Sequence, residues 1–122
     1  MIILVRGVRG AISVDKNEPA EILTRVEELL LAMVHANEIQ TEDIASIAFS
    51  STADLNSAFP ALAARKLGWI EVPLFGTQEI DCPTGLPRCI RVLILLNTDL
   101  PQNAIQHVYL REAIVLRPEF KK

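Results

Sequence analysis

The chain of 122 residues holds only two cysteines, two histidines, one tryptophan and one tyrosine. Cys82 and Cys89 are spaced unlike a zinc-binding pair and are too few for a disulfide scaffold, so two free thiols and no metal are expected. No apolar run approaches the roughly 20 residues of a membrane span. Met1 to Val5 is apolar but has neither a basic lead nor a cleavage site, so a cytoplasmic protein is expected. No tail is rich enough in charge, proline or glycine to read as disordered. No basic run interleaved with aromatics points to nucleic acid. A Gly-x-Ser-x-Gly elbow is missing, no cysteine stands beside a histidine, and no carboxylates cluster at metal spacing. Neither histidine has a partner that can be read from spacing.

What the chain does hold is apolar residues and arginine. Half of the residues are hydrophobic, and a chain of this length buries about two thirds of its unfolded surface, so one domain over 1–122 is expected. Residues 1–60 carry 4 basic and 9 acidic groups, and residues 61–122 carry 8 basic and 6 acidic groups. Arginine outnumbers lysine 8 to 4. Arginine is the better residue for planar, bidentate recognition of carboxylates. The candidates for chemistry are Arg6, Arg9, Arg65, Arg88, Arg91 and Arg117, with Glu79 in a loop and Tyr109. That set suits a small dianion, and catalysis by positioning and electrostatics without a covalent step.

The segments alternate between strand and helix patterns, which gives an α/β or α+β class. Residues 1–13 read as a strand that contains Arg6-Gly7-Val8-Arg9-Gly10-Ala11, two arginines each followed by glycine. Glycine weakens a strand and lets backbone or ligand come close, so both glycines ask for a reason. Pro19 opens a helix in which Ile22, Leu23, Val26, Leu29, Leu30 and Met33 recur at helical spacing, ending near Asn37. Glu21 and Arg25 form an i,i+4 pair on it. Ile44–Ser51 is a second strand, Phe59–Gly68 a short helix, and Trp69–Phe75 a third strand, followed by a loop from Gly76 to Pro87. Cys89–Asn97 is apolar on both alternating faces and reads as a central strand covered on both sides. Arg91 points with Cys89 and Leu93. A buried guanidinium keeps its proton and requires an anion, either an internal carboxylate such as Glu79 or a ligand. Gln106–Leu110 reads as a short strand and Arg111–Leu116 as a helical turn.

Six words appear in one order over almost the full chain: Arg6-Gly7-Val8-Arg9-Gly10-Ala11; Asp54-Leu55 with Phe59-Pro60-Ala61; Gln78-Glu79-Ile80-Asp81; Cys89-Ile90-Arg91-Val92; His107-Val108-Tyr109-Leu110; and Val115-Leu116-Arg117-Pro118. Together they resemble the monofunctional chorismate mutases of the small AroH class, the trimeric bacterial type. The resemblance implies an α+β fold with a mixed sheet flanked by helices, assembled as a trimeric pseudo-barrel with sites at subunit interfaces. It implies the cofactor-free rearrangement of chorismate to prephenate, a step toward phenylalanine and tyrosine. Arg91 would donate to the ether oxygen, Arg9 and Tyr109 would hold the enolpyruvyl carboxylate, and Glu79 would accept from the ring hydroxyl. Phe59, Ala61 and Leu74 would line the apolar wall, the Gly76 backbone would meet the hydroxyl, and Arg65 would lie near the mouth. Leu116 and Arg117 would close over the substrate. Leu62 stands where a relative can carry lysine, and Gly76 where a cysteine is expected. A non-catalytic trimer of the same fold that binds a small carboxylate is the other reading; it would have no need for Arg9, Glu79, Arg91 and Tyr109 together.

Overall fold

The computed structural model describes residues 3–120. The chain runs β1 (Leu4–Ser13), α1 (Pro19–Asn37), β2 (Ile44–Ser51), α2 (Ala61–Lys66), β3 (Leu74–Gln78), β4 (Cys89–Thr98) and β5 (Val108–Leu110). Short 3₁₀ turns lie at Thr41–Asp43, Gln102–Ala104, Arg111–Leu116 and Pro118–Phe120. The strands form one mixed sheet in the order β3-β2-β4-β1-β5. β4 lies at its centre, antiparallel to β1 and β2, while β3 and β5 run parallel to β2 and β1 on the two edges.

The two faces of the sheet have different fates. Val8 and Ile12 of β1, Ile47 and Phe49 of β2, and Ile90, Val92 and Ile94 of β4 are buried with the apolar stripe of α1, whose Ile22, Val26, Leu29, Leu30 and Met33 are fully covered. Each such side chain contributes on the order of 1.5–3 kcal/mol by leaving water. The helix lies so close to β1 that a Cβ on Gly10 would meet Met33 Sδ at 2.5 Å and Leu29 Cδ1 at 3.1 Å. Close packing is the reason for the second glycine of the Arg-Gly pair. α1 ends on Glu38, whose φ of 50° is left-handed, with the Ile39 N–H returning to the Val34 carbonyl at 3.0 Å.

The opposite face is largely uncovered within one chain, and this corrects the expectation of a central strand shielded on both sides. Leu93 is 38% exposed and Phe75 68% exposed. Among the described residues only one end of that face is closed, where the Arg111–Leu116 turn sets Ala113 and Leu116 against Ala11 and Cys89. The apolar residues of β4 that point this way report a surface without a same-chain cover, not a core.

The third strand is also corrected. It spans Leu74–Gln78 and not Trp69–Phe75. Pro73 cannot donate to a ladder, so it precedes the strand and offers its carbonyl to the Ile47 N–H at 2.9 Å. Gly76, Thr77 and Gln78, expected in a loop, are paired with β2. The second helix is shorter than expected because Pro60 caps it and Gly68, at φ 90°, turns the chain away.

Several arginines are taken up by the fold. Arg25 is buried, donates to the Ser13 carbonyl at 2.7 Å, and pairs with Asp15 at 2.8 Å and Glu21 at 3.2 Å. Arg88 donates to the Val14 carbonyl at 3.2 Å, while its N–H meets the Asp54 carboxylate at 3.0 Å. Arg6 donates to the Leu100 carbonyl at 2.9 Å, and Arg111 pairs with Glu28 at 2.9 Å. Replacing Arg25 with Met strands the buried Ser13 carbonyl. Asp15 is largely exposed and Glu21 partly so, and both carboxylates recover water. The expected loss is therefore about 2 kcal/mol, below the 3–5 kcal/mol of a fully buried pair. A urea midpoint of Arg25→Met equal to wild type would show that this cluster does not hold β1 to α1.

Candidate active site

Strand register builds the site. Thr77 lies opposite Ser50, Ser50 opposite Arg91, Arg91 opposite Ala11, and Ala11 opposite Tyr109. Residues directly opposite share a face, so one row crosses all five strands on the open side of the sheet. Arg9 stands two residues before Ala11 on that face. Ala11, the smallest side chain of the row, lies between Arg91 and Tyr109. A cavity of about 310 Å³ opens over the row, walled by Arg9, Arg91, Tyr109 and Arg117 with Ala48, Ser50, Thr77 and Leu93.

Glu79 follows β3 and extends its pairing by one rung, its N–H donating to the Ser51 carbonyl at 2.8 Å. Two residues past Thr77, it keeps to the same face and brings Oε2 to 3.6 Å from Arg91 Nε. A charge-assisted hydrogen bond closes to about 2.8 Å, so this is an ion pair held open. The Arg91 side chain is 43% exposed and that of Glu79 27%. Arg91 is thus not the buried cation that its strand pattern implied. It is a cation presented on an open face, with a carboxylate beside it and room for a ligand.

The remaining expected residues lie elsewhere. Phe59, Ala61, Arg65, Leu74 and Gly76 line a second cavity of about 890 Å³ between α2, the loop before it and the β3 edge. Phe59 is 83% exposed there. The two cavities share only Phe49 and Thr77 in their walls. Leu116 packs beside Ala11 and Cys89, next to Arg117. Arg117 donates to Glu119 at 2.6 Å, and this bond, with Tyr109 nearby, raises the Arg117 guanidinium above its usual range. The expected residues therefore form two groups within a chain: a cationic one on the sheet face and a mostly apolar one at the edge.

Ser50 and Thr77 were not legible as site residues, because only register sets them beside Arg91. His107 was, to the sequence, a histidine without a partner; its Nδ1 accepts the Arg9 backbone N–H at 3.0 Å. Burial, then the charges of Arg9 and Arg117, hold its imidazole below the usual range. Cys89, the thiol nearest Arg91 in sequence, is buried, and burial pushes it up to about 11, far from a thiolate nucleophile. Among the described residues no group of three or more His, Cys, Asp or Glu side chains could hold a metal ion, and no helix is long and apolar enough to cross a membrane.

A family model described as chorismate mutase type I matches residues 5–120. The chain belongs to the type I chorismate mutase family. It is 52% identical over 119 residues to chorismate mutase AroH of Thermus thermophilus, covering 97% of this chain and 98% of that one. It is 43% identical over 117 residues to chorismate mutase AroH of Bacillus subtilis (strain 168), covering 95% and 92%. A solved chorismate mutase from Clostridium thermocellum superposes with a TM-score of 0.88 at 44% identity, over 89% of this chain and 97% of that one. The mixed sheet and its helices are thus the α+β fold of this family, as the sequence motifs implied.

Proposed function

We propose that the protein rearranges chorismate to prephenate in the formation of phenylalanine and tyrosine, with residues 1–122 acting as one catalytic domain in the cytoplasm. The observation that carries the reading is the open Arg91–Glu79 pair, 3.6 Å apart on a sheet face that also presents Arg9 and Tyr109. In the rearrangement one C–O bond breaks as one C–C bond forms, within a single molecule. No nucleophile is required; what helps is stabilisation of charge that separates in the transition state. The ether oxygen gains negative charge, and Arg91 donates to it. The ring gains positive charge, and Glu79 lies beside it while accepting from the ring hydroxyl. Arg9 and Tyr109 hold the enolpyruvyl carboxylate, which fixes the reacting carbons against each other. Leu116 and Arg117 close over the substrate.

The second group of residues completes this site from a neighbouring subunit. Phe59, Ala61 and Leu74 form the apolar wall, the Gly76 backbone meets the hydroxyl, and Arg65 guards the mouth. The division of the site residues between two cavities in one chain supports this arrangement. So does the uncovered apolar face with Leu93 and Phe75, which a homotrimer would bury. The test is the loss of chorismate absorbance with purified protein and no added metal or cofactor, with prephenate identified as product. Rapid conversion is expected. Chorismate binding without turnover would reduce the site to a carboxylate clamp and remove the catalytic reading.

A further inference from the structure

We propose that His107 is a positioning residue for the reaction: its ring takes the Arg9 backbone N–H and so fixes the point from which the Arg9 guanidinium reaches the substrate carboxylate. The proposal rests on the reading of Arg9 as part of the carboxylate clamp. β5 pairs with β1 only at Gly10–Val108, Ala11–Tyr109 and Ile12–Leu110. One residue earlier the ladder stops, and the Arg9 N–H would face an open edge. His107 Nδ1 fills that place at 3.0 Å, so a side chain replaces the missing backbone carbonyl. The bond ties Arg9 to the segment that carries Tyr109 two residues later, and these are the two groups assigned to one carboxylate.

The ring stands on an anchored backbone. Gln106, just before it, is held to the end of α1: its N–H donates to Asn37 Oδ1 at 2.7 Å, and Asn37 Nδ2 donates back to its carbonyl at 2.9 Å. His107 also lines a cavity of about 390 Å³ with Arg6, Gly7, Arg9 and Gln102, adjacent to the substrate cavity through Arg9 and Leu93. An Nδ1 that accepts a hydrogen bond has no proton, so the neutral ring carries its proton on Nε2. Protonation would turn Nδ1 into a donor facing another donor and break the rung. The surroundings oppose protonation. Arg9 faces the ring from β1 and Arg117 from the C-terminal segment, and both lower the imidazole below its usual range, after burial itself. Arg6 shares the cavity, and Glu119 offsets part of this positive field through Arg117.

His107→Asn and His107→Leu separate positioning from bulk. Asn places Oδ1 near the position of Nδ1, accepts the same N–H and does not titrate; Leu keeps the volume and removes the acceptor. In wild type, kcat/KM is expected to fall on the acid side of the usual imidazole value of 6.5. His107→Asn should keep most of the neutral-pH activity and lose that acid limb. His107→Leu should lose about fivefold in kcat/KM at neutral pH, the scale of one hydrogen bond. Hydrogen exchange at the Arg9 amide needs no substrate. It should stay slow in wild type and His107→Asn and quicken about tenfold in His107→Leu. Equal exchange in all three proteins, or an unchanged acid limb in His107→Asn, would overturn the proposal. Absence of chorismate turnover in wild type, with the exchange pattern as expected, would instead overturn the functional reading on which it rests.

Discussion

Arg91→Gln is expected to fold, to bind chorismate, and to lose on the order of 10²–10³ in kcat, equivalent to about 3 kcal/mol or more of transition-state stabilisation. Folding survives because the side chain is 43% exposed and its ion pair with Glu79 is open at 3.6 Å, so no buried charge is left without a partner. The loss falls on kcat because the ether oxygen is weakly charged in bound chorismate and strongly charged as the C–O bond breaks. A guanidinium gains most from the second state, whereas a neutral amide gains little. Steady-state kinetics on the folded variant decide the matter. A near-normal kcat with a raised KM would make Arg91 a ligand clamp and move the chemistry away from β4.

Chains that fail singly should rescue each other. Arg91→Gln removes the sheet-face half of the site, and Arg65→Glu turns the mouth of the other half against a dianion. If a site is closed between neighbouring subunits, a chain carrying Arg65→Glu still offers an intact Arg91, and a chain carrying Arg91→Gln still offers an intact Arg65. Unfolding the two together at equal amounts and refolding them gives each site an even chance of either chain on each side, so about a quarter of wild-type activity returns. The physical basis is the separation of Arg65, Phe59 and Leu74 from Arg9, Arg91 and Tyr109 in the single chain. Activity no higher than the mean of the two inactive variants would place the whole site within one chain.

α1 and β2 follow their expected bounds, because a helix stripe from Ile22 to Met33 and a strand between a 3₁₀ turn and a polar cluster are local signals. β3 was displaced by several residues. Alternation of Ile70, Val72 and Leu74 imitates a strand, while the partner that makes one, β2, is more than twenty residues away. The Arg-Gly pairs were visible as a peculiarity, and only the packing of Met33 and Leu29 on Gly10 explained one of them. The apolar pattern around Arg91 marks it as a residue in need of an anion, but for an incomplete reason. An apolar strand says that both faces leave water, but not whether the same chain covers them, and in β4 one face is left for something else.

By itself the sequence determined the residue types at the site, the order of its motifs, the family they point to and the helices and strands with strong local periodicity. These depend on neighbours a few residues apart. The tertiary structure alone decided the row Thr77–Ser50–Arg91–Ala11–Tyr109, the 3.6 Å opening between Arg91 and Glu79, the bond from Arg9 to His107, and the division of the expected site residues between two cavities. Each depends on strand register and on chain segments far apart in sequence. A slip of one residue in any one strand would turn that strand's side chains to the other face of the sheet and break the row.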